Sequence, residues 1–327
     1  HEGVPIHCRY DKSPEKYVLF DRIDHHESLV LTCDAHSTYK ANSLALDAFM
    51  VMCMEKDQAP DLDHRLKLFI HNEKDCSWKF LNYVPTRDAD TVFYPQKKAL
   101  LDDLQLFMDH EDDYNKYGIP YKRNYLFHGP PGSGKSSCIR LMASKMKCHV
   151  YIITFSTRCT DAMFIKLLSL IRNNSILVLE DIDNLFDDNT INHSVSLSSI
   201  LNALDGLTSK RKLVTCITTN HIKKLPQELI RVGRIDGTYT FKHANPDQLR
   251  ELLLNYFNHA HLDGESQAFN RIFPSLKQKI LDTPYSMAAL QKFVFERRHR
   301  LLELDQDVDE LDAYGDKATH AVDYMYT

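Results

Sequence analysis

The stretch Gly129-Pro-Pro-Gly-Ser-Gly-Lys-Ser136 decides the fold. It fits the pattern G-x-x-x-x-G-K-[ST] and lies between a strand-like run, 124–128, and a helical run that begins near Gly134. Glycines let backbone N–H groups turn towards one point, and the N-terminus of the following helix adds partial positive charge. The stretch therefore predicts a phosphate-binding loop. Its residues are Gly129, Pro130, Pro131, Gly132, Ser133, Gly134, Lys135, Ser136 and Ser137.

Two side chains of this loop have predicted roles. We expect Lys135 to bridge the β- and γ-phosphates of a nucleotide and Ser136 to offer its hydroxyl to Mg²⁺. ATP and Mg²⁺ are therefore the expected ligands. An incidental glycine-rich turn is the alternative, and the flanking strand and helix argue against it.

Polar residues follow the next two buried strand-like runs. The run 176–179 ends in Glu180 and Asp181, and the run 212–219 is followed by Asn220. Carboxylates at the C-terminal edge of a parallel sheet can hold Mg²⁺ and orient an attacking water. We predict that Ser136, Glu180 and Asp181 hold Mg²⁺ and that Asn220 senses the γ-phosphate. A solvated acidic loop and an ordinary turn are the alternatives, which the neighbouring loop disfavours.

Strand-like and helical runs alternate, which predicts an α/β fold with a parallel sheet and crossover helices. The predicted strands are 124–128, 149–155, 175–180, 212–219 and 237–241. The predicted helices begin near Gly134, Thr160, Ser194 and Pro226.

The chain is too long for one average domain. We predict a small mixed α/β N-terminal domain over 1–89, which contains a helix over 43–55. A P-loop domain with a parallel sheet and flanking helices follows over 90–245. A helical lid occupies 246–327, where Asn245 is the expected N-cap of the first helix.

Composition limits the class of protein. Hydrophobic residues make up 43% of 327 residues and charged residues 26%, as in ordinary globular proteins. The net charge of −5 argues against a nucleic-acid partner. The eight cysteines contain no CxxC pair, so buried free thiols are expected rather than a zinc site or disulfides. No run approaches about 18 apolar residues. Membrane association is therefore expected only through a segment absent from this chain.

Arg231 and Arg234 are three residues apart and follow the short helix predicted at Pro226. Arginine suits phosphate contact because its planar guanidinium presents several donors. An exposed surface pair is the alternative interpretation.

Taken together, these motifs resemble an AAA ATPase module over Asp90 to about Asn245. The resemblance lies in the order and spacing of GPPGSGKSS, LVLEDID, SSILNALDGL, TTN and LIRVGRID. The runs TVFYPQKKALLDDLQLFM and YGIPYKRNYLFHGPPGSGKSS are similar to those of the Bcs-type AAA ATPases. These are mitochondrial inner-membrane chaperones of cytochrome bc complex assembly and their relatives.

The resemblance implies an ATP hydrolase that forms a homo-oligomeric ring of about six or seven subunits. It implies that Arg231 and Arg234 are arginine fingers that act on ATP in the neighbouring subunit. Asn220 occupies the sensor-one position. The acid pair reads Glu-Asp, where most AAA proteins read Asp-Glu, so the role of general base shifts to Asp181.

The resemblance also implies a protein cargo. Peptide-threading members carry an aromatic residue and a glycine in a loop that here reads Ser156-Thr-Arg-Cys-Thr160. Their absence favours a folded cargo. The expected location is the mitochondrial inner membrane if the family location carries over, and the cytoplasm otherwise. An ATP-gated assembly scaffold with little turnover and a DNA-handling AAA ATPase are the alternative functions.

Overall fold

The computed structural model describes most of the chain. The described residues are 6–19, 22–33, 66–72, 76–84, 87–155, 158–186, 195–205, 212–231, 233–262, 264 and 266–315. The chain divides into two compact units, His1–Leu62 and Asp63–Thr327. In the first unit, β1 (Ile6–Leu19) and β2 (Arg22–Cys33) pair as an antiparallel hairpin. The helix predicted over 43–55 lies outside the described residues.

The second unit is built on a seven-stranded sheet. Its strands are β3 (Leu66–Asn72), β4 (Ser77–Val84), β5 (Lys122–His128), β6 (His149–Thr154), β7 (Ser175–Glu180), β8 (Leu213–Thr219) and β9 (Gly237–Thr240). The spatial order is β4-β3-β6-β7-β8-β5-β9, and the pairs are parallel except for β3 with β4. The five strands predicted from residue 124 onwards are β5 to β9, so the predicted α/β fold is confirmed.

Two strands from the predicted N-terminal domain belong to this sheet. β3 pairs in parallel with β6, with Leu68 opposite Val150, and β4 forms the edge beyond β3. Leu66 and Leu68 are buried in the same apolar cluster as Val150. A two-stranded hairpin alone is at best marginally stable, and pairing with β6 makes it part of a larger sheet. The compact unit therefore begins at Asp63, whereas the sequence predicts a boundary at residue 90.

Helices connect the strands and form the lid. They are α1 (Lys97–Asp109), α2 (Glu111–Tyr117), α3 (Lys135–Met146), α4 (Asp161–Ser169), α5 (Leu197–Leu204), α6 (Pro246–His259), α7 (Gln267–Asp282) and α8 (Met287–Glu296). A 3₁₀ segment, Arg298–Tyr314, follows α8. The N-caps of α4 to α8 are Thr160, Ser196, Asn245, Ser266 and Ser286, whose side chains accept backbone N–H groups. Within the described residues, no helix is long and apolar enough to cross a membrane.

Three apolar clusters form the core of this unit. The first packs α1 and α3 against one face of the sheet, and the second packs α4 and α5 against the other face. The third joins α6, α7, α8 and the 3₁₀ segment within the lid. Among the described residues, the buried cysteines have free thiols; they are Cys138, Cys148, Cys159 and Cys216.

The prediction of a short helix at Pro226 is wrong. The chain there makes a single turn, closed by a hydrogen bond of 3.1 Å from the N–H of Leu229 to the carbonyl oxygen of Pro226. Gly233 then has a φ of +94°, which no helical residue adopts. One turn gains too few hydrogen bonds to nucleate a helix. Arg231 and Arg234 therefore lie on a loop.

Candidate nucleotide-binding site

The predicted phosphate-binding loop joins β5 to α3. Gly129, Gly132 and Gly134 all have positive φ angles, of +145°, +70° and +104°. A Cβ on Gly129 would overlap the carbonyl oxygen of Phe241, and a Cβ on Gly132 would lie 2.9 Å from Oγ of Ser286. Glycine is therefore required at Gly129 for both space and conformation.

Lys135 is the first residue of α3, and its ammonium group turns back into the loop. Its Nζ donates to the carbonyl oxygens of Gly129 and Pro130, at 2.6 and 3.0 Å, and to Oδ1 of Asn220 at 2.8 Å. Neutral oxygens therefore surround this cation. A phosphate is a stronger acceptor for an ammonium than a carbonyl oxygen is, so it can replace them.

Asn220 and Asp181 meet Lys135 at the carboxyl edge of the sheet. β7 and β8 are parallel neighbours, so the residues that follow them lie side by side. Nδ2 of Asn220 donates to Oδ1 of Asp181 at 3.2 Å, while Oδ1 of Asn220 accepts from Lys135. The structure thus brings together three of the predicted site residues, with the Asn220 amide as the bridge.

Two further side chains belong to this cluster and were not predicted. Asp183 is 3% exposed, and its Oδ1 accepts a hydrogen bond of 3.3 Å from the backbone N–H of Asn220. Oγ1 of Thr218 accepts from the backbone N–H of Asp181 at 3.0 Å, where Asp181 has a φ of +45°. Asp183 is the third acid of the run Glu180-Asp-Ile-Asp183, and this was the available signal. Thr218 is the first residue of the TTN motif, but the motif did not predict this contact.

Burial shifts the pKa values of two side chains in the cluster. Desolvation lowers the pKa of Lys135 to about 8, although nearby Asp181 and Asp183 act to raise it. Desolvation, followed by repulsion from Asp183, raises the pKa of Asp181, while Lys135 acts to lower it. Such opposed shifts in an open cleft are typical of functional sites.

The remaining loop and acid residues have distinct surroundings. Ser136 is exposed, and Glu180 is half-buried at the end of β7. Ser133 is buried and donates from Oγ to the carbonyl oxygen of Pro130 at 2.6 Å, so it stabilises the loop. Ser137 is half-buried in the first turn of α3.

The residues fit a nucleotide with Mg²⁺ better than a resident metal. Among the described residues, no group of three or more His, Cys, Asp or Glu side chains could hold a metal ion by itself. Mg²⁺ in nucleotide sites is usually held by one or two carboxylates together with the phosphates, rather than by a protein cage. The hydroxyl of Ser136 and the carboxylates of Glu180 and Asp181 match that chemistry.

The loop opens onto a cleft of about 820 Å³, a volume typical of small-molecule sites. Its lining combines the loop, the sensor position and the segment after β9. The lining residues are Gly129, Pro130, Pro131, Asn220, His221, Phe241, Lys242 and His243.

The lid contacts the loop directly. The N–H of Ala288, in the first turn of α8, donates to the carbonyl oxygen of Gly132 at 3.0 Å. The N–H of Ala244 donates to the carbonyl oxygen of Tyr285 at 2.9 Å. The position of α8 is therefore tied to the conformation of the phosphate-binding loop.

Arg231 and Arg234 lie away from this cluster. Arg231 is exposed. Arg234 forms a two-bond ion pair with Asp205, the residue that follows α5. Within the described residues, no hydrogen bond or ion pair joins either arginine to Asn220, Asp181 or Asp183. The structure therefore does not bring the two arginines into the cluster of their own chain.

Comparison with known proteins agrees with this site. The family model described as "ATPase family associated with various cellular activities (AAA)" matches residues 125–243, which include the loop, the acids, Asn220 and both arginines. A probable mitochondrial chaperone bcs1 of Schizosaccharomyces pombe is 34% identical over 50% of this chain and 38% of its own length. A probable mitochondrial chaperone BCS1-A of Dictyostelium discoideum is 30% identical over 80% of this chain and 63% of its own.

An AAA-ATPase of Arabidopsis thaliana is 29% identical over 78% of this chain and 50% of its own length. The chain thus spans between 38% and 63% of the length of these three relatives. The family match covers the residues that build the cleft, and two of these relatives are Bcs1-type chaperones by name. Residues 125–243 therefore match the AAA family, and the chain is similar to chaperones of the Bcs1 type.

Proposed function

We propose that this protein hydrolyses ATP as a homo-oligomeric ring and uses the cycle to remodel or translocate a folded protein cargo, as a chaperone. The observation that carries the proposal is the meeting of Lys135, Asn220 and Asp181 beside the phosphate-binding loop. This set supplies a cation for the phosphates, an amide, and a carboxylate that can accept a proton.

The chemistry follows from the geometry. Lys135 exchanges its carbonyl partners for the β- and γ-phosphates. Of the predicted Mg²⁺ ligands, Ser136 and Glu180 would hold the ion, which would neutralise phosphate charge, and Asp181 is left to act as the base. The oxygen of an attacking water forms a bond to the γ-phosphorus, and the bond between that phosphorus and the ADP oxygen breaks. The water proton passes to Asp181. Burial raises the pKa of this carboxyl, which makes it a stronger base than an ordinary aspartate.

The placement of Arg231 supports a ring. Charge that develops on the γ-phosphate is commonly stabilised by an arginine, worth about 10³- to 10⁵-fold in turnover. Arg231 is exposed and lies outside the Lys135 cluster of its own chain. An arginine so placed can reach a nucleotide held by an adjacent copy of the chain. Heterologous contacts of this kind form a ring when the rotation between neighbouring subunits closes on itself.

The cargo proposal has two supports. The relatives from Schizosaccharomyces pombe and Dictyostelium discoideum are named mitochondrial chaperones. In the segment between β6 and α4, which would face a pore in a peptide-threading member, Phe155 is buried and Ser156–Thr160 contains no aromatic residue or glycine. A wide ring that passes a folded protein fits this segment better than a grip on an unfolded chain.

Subunit mixing tests the proposal. Lys135→Ala and Arg231→Ala should each lower steady-state phosphate release by at least about 100-fold. A mixture of the two variants should regain activity, because an Arg231→Ala subunit beside a Lys135→Ala subunit forms a complete site. With random mixing, about a quarter of the interfaces are complete. Lys145→Ala, at an exposed lysine of the same helix, is the matched control and should keep full activity.

Each other outcome overturns a stated part of the proposal. Full turnover in both variants would contradict ATP hydrolysis at this site. Inactive single variants that regain nothing on mixing would contradict the ring. ATP binding by the unmodified protein without phosphate release would favour the ATP-gated scaffold, and salt-sensitive DNA binding would favour a DNA-handling ATPase.

A further inference from the structure

The two arginines of the loop have different surroundings, although the resemblance gives both the same role. Arg231 is exposed, and within the described part of the chain its side chain has no hydrogen bond or ion pair. Nε and Nη2 of Arg234 donate to the two carboxylate oxygens of Asp205, at 3.0 and 3.1 Å. Nη1 of Arg234 donates to the carbonyl oxygen of Glu228 at 2.8 Å.

These bonds use three of the five N–H donors of the Arg234 guanidinium. A guanidinium has five N–H donors in a rigid plane, and a two-bond contact with a carboxylate uses one edge of it. The third bond, to Glu228, engages Nη1 as well. To contact a phosphate through the same edge, Arg234 would first have to leave Asp205. Among the described residues, Arg231 has no bond of this kind.

The backbone on both sides of this ion pair is held by Asn124 of β5. Asn124 is 1% exposed, and its Nδ2 donates to the carbonyl oxygens of Arg234 and Leu204, at 2.7 and 3.1 Å. Its own N–H donates to Oδ2 of Asp236 at 2.8 Å, and its carbonyl oxygen accepts from the N–H of Asp236 at 2.9 Å. The end of α5 and the arginine loop are therefore both tied to the strand that leads into the phosphate-binding loop.

We propose that Arg234 is a positioning residue, which joins the arginine loop to Asp205 of its own chain and so aims Arg231 at the nucleotide of the neighbouring subunit. This inference rests on the proposed function, because it needs an arginine that acts between subunits. It assigns the direct contact to Arg231 and gives Asp205 a role in turnover.

A double-mutant cycle tests this assignment. Asp205→Ala and Arg234→Ala should each lower kcat by about 10- to 100-fold, because a misplaced catalytic group costs about that much. The double variant should lose no more than the larger single loss, since both changes break one contact. KM for ATP should stay within about twofold in all three variants, because each chain keeps its own phosphate-binding loop. Arg234→Lys, which keeps one charged bond to Asp205, should recover part of kcat.

The lid provides a matched control. Arg271 donates from Nε and Nη2 to the carboxylate of Asp305, at 2.6 and 3.2 Å, and from Nη2 to the carbonyl oxygen of Leu302 at 2.7 Å. This pattern resembles that of Arg234 but lies away from the arginine loop. Arg271→Ala and Asp305→Ala should leave kcat within about twofold, as expected for an exposed ion pair.

The possible failures can be told apart. If Arg231→Ala keeps full turnover, the proposed action between subunits is contradicted. If Arg231→Ala is inactive and Arg234→Ala loses about 10³-fold while Asp205→Ala keeps full kcat, Arg234 contacts the nucleotide directly and the positioning role is overturned. A fall in thermal stability with unchanged kcat in the Asp205 and Arg234 variants would show that the ion pair is only a structural contact. That result would also overturn the positioning role.

Discussion

The carboxyl edge of the sheet and the lid of residues 246–315 are built in opposite ways. At the sheet edge, the backbone takes positive φ angles at three glycines of one loop and at Asp181. The Asp183 side chain is buried there, and Lys135 is half-buried. The positive φ of Asp181 and the burial of polar groups cost free energy, and both lie where a nucleotide would bind.

The lid follows the ordinary rules of helix packing. Each of its three helices begins with an Asn or Ser cap, at Asn245, Ser266 and Ser286. Its apolar side chains form one cluster, and ion pairs such as Arg271 with Asp305 lie at the surface. The loop and the acids thus combine positive φ angles with buried polar groups around one cleft, whereas the helices of the lid are capped and packed around one apolar cluster.

The two regions meet at one point, where α8 begins. Ala288 donates to the carbonyl oxygen of Gly132, and the side chain of Ser286 lies against the same glycine. A change at this contact should therefore alter both the stability of the lid and the affinity of the loop for ATP. Changes elsewhere should alter one or the other.

The largest expected effect is that of Gly129→Ala. Its Cβ would overlap the carbonyl oxygen of Phe241 at a φ that side chains rarely adopt, so the end of β9 must move. We expect a loss of at least about 3 kcal/mol in the free energy of unfolding, measured by urea denaturation. Gly134→Ala, where a Cβ meets nothing within 4 Å, should cost about 1–2 kcal/mol from conformation alone. Equal losses would contradict the steric account.

The next largest effects are expected from the substitution of one asparagine in each region. Asn220→Ala removes the bridge between Lys135 and Asp181, and ATP turnover should fall about 100-fold with little change in stability. Asn245→Ala removes the cap of α6, which Gln248 completes, and should cost about 1–2 kcal/mol of stability with turnover nearly unchanged. Phosphate release and thermal unfolding measure the two effects. If Asn245→Ala lost turnover and Asn220→Ala did not, the proposed contrast between the two regions would be contradicted.

The affinity for ATP should depend on pH through Lys135. The pKa of its ammonium group is lowered to about 8, so the group is charged below that pH and neutral above it. Because phosphates bind the charged form, the Kd for ATP should be flat below pH 8 and rise up to about tenfold per pH unit above it. Isothermal titration calorimetry can follow the Kd. Lys135→Ala should bind weakly at every pH and lack this rise, and a flat profile in the unmodified protein would contradict the assignment.

The smallest expected effect concerns the point where the regions meet. Ser286→Ala and Ser266→Ala each remove the N-cap of one lid helix, so each should cost about 1 kcal/mol of stability. Since Ser286 also lies against Gly132, its loss alone should shift KM for ATP, by about two- to fivefold. Equal KM values in the two variants would show that α8 and the loop are not coupled through Ser286.

Periodicity and motif spacing were sufficient to predict the sheet and the loop. Strands β5 to β9 have continuous apolar runs, and the glycines at 129, 132 and 134 specify the turn between β5 and α3. The place of β3 and β4 was not predictable in this way, because no local pattern records that β3 pairs with β6. The same limit applies to the turn at Pro226, where a helical pattern is too short to form a helix.

For the candidate site, the sequence was sufficient to predict which residues lie together, but not which of them contact one another. Lys135, Asp181 and Asn220 follow from the ends of a loop and two strands. The hydrogen bond from Asn220 to Asp183 joins residues 37 apart, and the ion pair of Arg234 with Asp205 joins residues 29 apart. Such contacts depend on how α5 and the arginine loop pack on β5. The different surroundings of Arg231 and Arg234 were therefore invisible in their three-residue spacing.

One measurement tests the central claim most directly: ATP binding and phosphate release by Asp181→Asn. The asparagine keeps an oxygen that can accept from Nδ2 of Asn220 but cannot take a proton from water. The account predicts a Kd for ATP within about threefold of the unmodified protein and a kcat at least about 100-fold lower. Unchanged kcat in Asp181→Asn would contradict the claim that hydrolysis takes place at this cluster.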